Sequence, residues 1–230
     1  MARHVVIGLN AQVADNPQTG WVRADTLGAP PEQLQRDLLT PCEDLGISRI
    51  SDDGQAGKIL STKISSSRTV RIMSTSATRL LEIQKPYLMR CVAQGGDLRI
   101  LVPMPEAEFL KDVDEVEGRN PEDSIANEVR QAPRRLDEIR ELAEDRASRS
   151  GQQLGTLSLG HFSTHLRSTL VVCDELWGWL TVTLPPARAA ETASFELVGG
   201  SLNPLLDDCI RHFDRTWDIV SARGMITTIE

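Results

Sequence analysis

The sequence predicts an α/β fold, a mixed β-sheet flanked by helices. Three features carry this expectation. Arg68 to Met104 reads strand, helix, Gly95-Gly96, strand, which is a right-handed βαβ unit with two parallel neighbours. The C-terminal third alternates apolar and polar residues in several short runs, as strands do. Near the end, Leu202 to Val220 is amphipathic, with Leu205, Leu206, Cys209, Ile210, Phe213, Trp217 and Val220 on one face.

Taken in order, His4 to Leu9 (HVVIGL) predicts a short buried strand, followed by a Gly/Pro/Asn/Asp-rich loop to Pro31. Pro31 opens a helix that Gly46 can stop. Ile47 to Ile50 alternates like an edge strand, and Ile59, Leu60 and Ile64 have helical spacing. Val70 and Ile72 mark the strand Arg68–Thr75. Leu80, Leu81, Leu88 and Val92 mark a helix over Ser76–Ala93, with Pro86 a candidate kink. DLRILVPM is the next strand, closed by Pro103 and Pro105. Glu106 to Arg149 predicts one or two surface helices, kinked or broken near Pro133. Their apolar stripe is Ile125, Val129, Leu136, Ile139 and Leu142, and their solvated face is rich in i,i+4 charge pairs. Three strands, TLSLGHF, STLVVC and LWGWLTVTL, predict a hairpin or meander with a turn at Asp174-Glu175. A loop over Pro185–Thr192 and a short strand over Phe195–Val198 precede the final helix.

The bulk numbers fit a folded domain: 230 residues, 40% hydrophobic and 25% charged. Aromatics are 4%, so the core must be mainly aliphatic. The net charge of −8 repels phosphate backbones and anionic lipid, which argues against general nucleic-acid or membrane binding. Cys42, Cys91, Cys173 and Cys209 are far apart and read as structural thiols. MARHVVIGLN has too short an apolar run for a signal peptide or membrane span, so the expected location is the cytoplasm.

No phosphate-cradling glycine motif, GxSxG elbow or metal-ligand spacing occurs, so no metal and no cofactor are expected. One stretch could carry chemistry: Gly160-His161-Phe162-Ser163-Thr164-His165-Leu166-Arg167. It lies between two predicted strands, and alternation would put His165 and Arg167 on one face. An imidazole can attack or protonate a phosphate, and a guanidinium can hold its oxygens. His161, Ser163, His165 and Arg167 are therefore the candidate ligand-binding residues. Structural hydrogen bonding by the same side chains is the plainer alternative.

The order of these pieces resembles the phospholipase D-like fold. The segments are RTVRIMSTSATRLLE, GGDLRILVPMPEAEF, EDSIANEVRQAPRRLDEIRELAE, STHLRSTLVVCDELWGWLTV and FELVGGSLNPLLDDCIRHFDRTWDIV. More narrowly, the chain is similar to the degenerate phospholipase D-like domains behind helix-turn-helix regions in actinobacterial regulators, which often close on a similar His-Phe-x-x-x-Trp helix. The resemblance spans Gly46 to Arg223. It divides the chain into an N-terminal extension, 1–45, packed on or beside the domain, and a phospholipase D-like domain, 46–230.

Active members of that superfamily carry His-x-Lys-x4-Asp, usually twice. The histidine forms a phosphoryl-enzyme intermediate and the lysine holds the phosphate. The aligned segment here is His165-Leu166-Arg167. Val172 stands at the aspartate position and Asp174 lies two residues on, so there is one incomplete half-motif. The resemblance then implies a non-catalytic, regulatory module that senses a ligand or binds a protein partner, working as a homodimer. A small phosphorylated or anionic ligand is the class it suggests. The alternative is a phosphodiesterase or phosphoryl-transfer enzyme, with His165 as nucleophile, Arg167 as clamp and Asp174 as orienting carboxylate, completed across a twofold interface.

Overall fold

The computed structural model describes residues 46–51, 53–183, 192, 194–199 and 204–229. The expected strand at His4–Leu9, the helix opened by Pro31 and the extension 1–45 lie outside these residues, as does most of the Pro185–Thr192 loop. In chain order the elements are β1 (Ile47–Ser51), α1 (Asp53–Ser66), β2 (Thr69–Ser74), α2 (Thr78–Ala93), β3 (Asp97–Pro103) and α3 (Phe109–Val116). A 3₁₀ turn (Pro121–Asp123) leads to α4 (Ile125–Ser150), β4 (Thr156–Phe162), β5 (Ser168–Cys173), β6 (Trp177–Val182), β7 (Ser194–Val198), α5 (Pro204–Ala222) and β8 (Ile226–Thr228).

The strands form one eight-stranded mixed sheet in the order β1-β7-β6-β5-β2-β3-β4-β8. The βαβ expectation holds: β2 and β3 are parallel, with Thr69 opposite Asp97 and Met73 opposite Leu101. A second crossover, through α3 and α4, brings β4 parallel to β3. The sequence reading placed β4 in a meander with β5, and the sheet corrects this. β5 pairs antiparallel with β2 on the other side, and only β5, β6 and β7 run as a meander. The 26-residue helix between β3 and β4 is long enough to return the chain for a parallel pairing, whereas a tight turn is not. Strand β8 had no counterpart in the sequence reading; three residues give too little alternation to register.

The central strands are buried on both faces, which explains their near-continuous apolar runs. One face packs against α1, α2 and α4 through Ile64, Leu81, Leu88, Leu136 and Ile139, over Ile72, Ile100 and Leu159. The other packs against α5, where Leu206, Phe213 and Val220 meet Leu101, Phe162 and Val172. Pro133 does not break α4, which runs unbroken through it; only the Val129 carbonyl loses its i+4 donor. The buried stripe of α4 continues through Ala143, while Leu142 is 46% exposed. The face a helix turns inward depends on its neighbours, and here a small residue lets α4 approach the sheet.

The end of the second crossover requires glycine. Gly155 N–H donates to Val92 O at 2.8 Å, and Thr156 N–H donates to Gly96 O at 3.1 Å. A Cβ on Gly155 would lie 1.9 Å from the Gly96 carbonyl oxygen. Cys91 and Cys173 are free and fully buried, as expected of structural thiols, and burial pushes both up to about 12. Cys209 is free and half-buried, raised by burial to about 11. Cys42 lies outside the described residues. No helix among the described residues is long and apolar enough to cross a membrane.

Candidate functional site at the carboxyl edge of the parallel strands

The parallel strands β2, β3 and β4 end together, and the segments that leave them gather at one edge. Such carboxyl edges are where open α/β sheets commonly present functional groups. Three segments meet: Thr75–Ala77 after β2, Met104–Glu108 after β3, and Ser163–Arg167 after β4. The last is tied down at two points. Thr75 Oγ1 donates to Leu166 O at 2.8 Å, and Thr183 N–H donates to Arg167 O at 2.9 Å.

His165 and Arg167 lie in this connecting segment and not on a strand, and their side chains part. His165 is exposed and its ring lies against Phe109, with centroids 5.0 Å apart and planes at 36°. Together with Ser163 it lines a shallow, open depression whose other walls are Met104, Glu106, Ala107, Glu108 and Phe109. Arg167 turns to Glu117 on the α3–α4 connection, Nη2 to Oε1 at 3.5 Å. Its Nε is buried with no hydrogen-bond partner.

Glu117 belongs to a larger ion network. Its side chain is only 6% exposed, and its Oε2 also accepts from Arg119 Nε at 2.8 Å. Arg119 Nη1 donates to Glu128 Oε1 at 2.6 Å, and Asp114 lies 3.9 Å from Arg119 Nε. Ser76 Oγ donates to the second oxygen of Glu128, and Thr78 Oγ1 donates to the Glu128 carbonyl at 2.7 Å. Burial alone would lower the Arg119 pKa, but its bonds to Glu117 and Glu128 outweigh that and raise it. Burial raises the Asp114 pKa; the Ile125 N–H and Arg119 pull it down, and Glu117 and Glu128 push it up. Two guanidiniums thus face three carboxylates, which leaves no surplus positive charge for a phosphate.

The remaining candidates are elsewhere. His161 sits on β4 opposite Val102, half-buried. Burial lowers its pKa, with Glu106 opposing, which favours the neutral imidazole. Asp174 is at the far end of β5, one strand length (~20 Å) from Arg167. Its Oδ1 accepts from the N–H groups of Arg68 and Thr69, both at 2.8 Å, and from Thr69 Oγ1 at 3.3 Å. It pins the start of β2 to the β5–β6 turn, where it adopts φ 53°. Within one chain it cannot orient His165. His165, Ser163 and Arg167 therefore share the edge, whereas Asp174 is removed from it.

No protein-family model matches the sequence, and no curated protein matches it. Among solved structures, the chain is similar to Nuc of Salmonella typhimurium, a phospholipase D family member. The identity is 16% and the TM-score 0.40, over 74% of this chain and 91% of that one. NucT from Helicobacter pylori matches at 11% identity and TM-score 0.42, over 74% and 94% of the two chains. The phosphatidylserine synthase of Haemophilus influenzae matches at 15% and TM-score 0.44, over 78% of this chain and 39% of that one. Likenesses of this size assign no role to any residue here.

Sequence reasoning did not find Glu106, Glu108, Glu117, Arg119 and Glu128. They lie in a stretch dense in both signs of charge, which reads as a solvated helix face. One signal was available: the Pro-Glu-Ala-Glu-Phe run directly after a buried strand puts two acids where a strand leaves the sheet.

Proposed function

We propose that this chain is a non-catalytic binding module on a degenerate phospholipase D-like fold. It works as a homodimer and binds at the carboxyl edge of β2, β3 and β4. One observation carries the reading: Arg167, the group that would clamp a phosphate, is committed to the buried Glu117. The placement of Asp174 supports it, because a phosphohistidine mechanism needs a carboxylate or equivalent to fix the imidazole tautomer. Among the described residues His165 has a ring contact to Phe109 and no hydrogen-bonded carboxylate.

The second reading is a phosphodiesterase using His165 across a twofold interface. Two separate observations favour it: the His165 imidazole is exposed, and the buried Arg167 Nε has no hydrogen-bond partner. The two separate in one assay. Wild type and His165→Ala are incubated with bis-p-nitrophenyl phosphate, and release of p-nitrophenol is followed. The module reading expects no release above the buffer blank in either. Release by wild type that disappears in the variant would overturn it.

A further inference from the structure

We propose, on the basis of the module reading, that Arg119 and Arg167 form a site for a singly charged oxyanion, a carboxylate or a phosphodiester, and that Glu117 occupies it as a built-in competitor. Glu117 gives one carboxylate oxygen to each guanidinium: Oε2 to Arg119 Nε at 2.8 Å and Oε1 to Arg167 Nη2 at 3.5 Å. The fit is uneven. Nε and Nη2 lie on one edge of a guanidinium, an edge that can clasp an oxyanion with two parallel bonds. On Arg167, Glu117 meets that edge at Nη2 alone, at the outer limit of a hydrogen bond. The Nε beside it is buried with no partner. Buried donors are normally paired, so this one marks a second acceptor that Glu117 does not supply.

Charge decides the ligand class. Arg119 and Arg167 face Asp114, Glu117 and Glu128. With Glu117 withdrawn, a monoanion restores the balance that Glu117 gives, whereas a dianion overloads it. Glu117 also sits where it can be withdrawn. It directly follows α3, which is eight residues long and is anchored by Leu110 and Val113. Next comes Gly118 at φ 61°, with open space where a Cβ would stand, and residues 120–123 are exposed. Segments with so few buried contacts open at low cost. The Glu117 contact is therefore autoinhibitory: the α3–α4 connection is a strap that closes the site with its own carboxylate.

The test uses the full chain, labelled with ¹⁵N, titrated with sodium acetate, dimethyl phosphate or sodium chloride at matched ionic strength. The amides of residues 117–119 and 166–168 report binding. Affinity for acetate should rise about tenfold or more in Glu117→Ala, because a site that is mostly closed loses apparent affinity in proportion. Adding Arg167→Gln should abolish the gain. Val113→Ala keeps every charge and loosens α3, so it should raise affinity about threefold. Glu122→Gln, which removes an exposed acid from the same connection, should change nothing. The tighter binder of acetate and dimethyl phosphate names the ligand group. Glu117→Gln carries the same expectation as Glu117→Ala and replaces it if that chain does not fold. Four results would overturn the inference: equal affinity in wild type and Glu117→Ala, a gain that survives Arg167→Gln, an equal response to chloride, or a gain in Glu117→Ala with none in Val113→Ala, which would show acetate filling the space a truncation leaves. Absence of anion binding in a chain that also leaves the phosphodiester intact removes this inference and leaves the module reading. Phosphodiester hydrolysis removes the module reading itself.

Discussion

Phe213→Ala is expected to lower the unfolding free energy by about 3–5 kcal/mol, the usual cost of deleting a fully buried ring. Phe213 has no solvent exposure and packs in the cluster of Leu101, Phe162, Leu170 and Val172. It stacks on Trp217 one turn later, with centroids 5.9 Å apart and planes 13° from parallel. Removing the ring leaves a cavity between α5 and the sheet that the surrounding strands cannot close, because they are held by ladders on both sides. Trp217→Ala should cost less. Trp217 is only partly buried, and the Arg99 guanidinium of β3 lies over its ring at 5.6 Å. Urea denaturation of both variants checks this. A Phe213→Ala midpoint equal to wild type would show that α5 does not hold that face of the sheet.

Arg119→Ala is expected to cost about 3 kcal/mol, because it strips Glu128 of its cation and the buried Glu117 of one of its two. Arg119 is 14% exposed, and its partners Glu117 and Glu128 are 6% and 25% exposed. Both carboxylates pair with this guanidinium, and Glu117 also pairs with Arg167. Arg119→Lys should recover only part of the loss, since an ammonium cannot present Nε and Nη1 to two separate carboxylates. Pairing Arg119→Ala with Glu128→Gln should cost less than the sum of the two single changes, as members of one network do not add. Strict additivity in urea midpoints would contradict the network. The same variant leaves Arg167 as the remaining cation paired with Glu117.

The fold was legible where local pattern and tertiary role coincide. Val70, Ile72, Leu88 and Val92, closed by Gly95-Gly96, marked a βαβ unit, and β2 and β3 pair accordingly. Pairing partners distant in sequence were not legible. Nothing in TLSLGHF says that it pairs with β3 rather than with the strand that follows it, because both pairings bury the same alternate residues. At the site, histidines and arginines drew notice through their chemistry. The acids that determine their state did not, because a glutamate on a charged helix looks the same in sequence whether it is solvated or buried. Glu117, at 6% exposure, is the clearest case. Asp174 sits at the turn after β5 where the sequence placed it, and there it holds the start of β2.

The central claim is that the carboxyl edge binds without covalent phosphoryl chemistry. Phosphorus-31 NMR of the concentrated chain mixed with a phosphodiester tests it most directly, with His165→Ala beside it. The account predicts only the phosphodiester resonance in both samples. A phosphoramidate resonance in wild type that is missing from His165→Ala would show a phosphohistidine and contradict it.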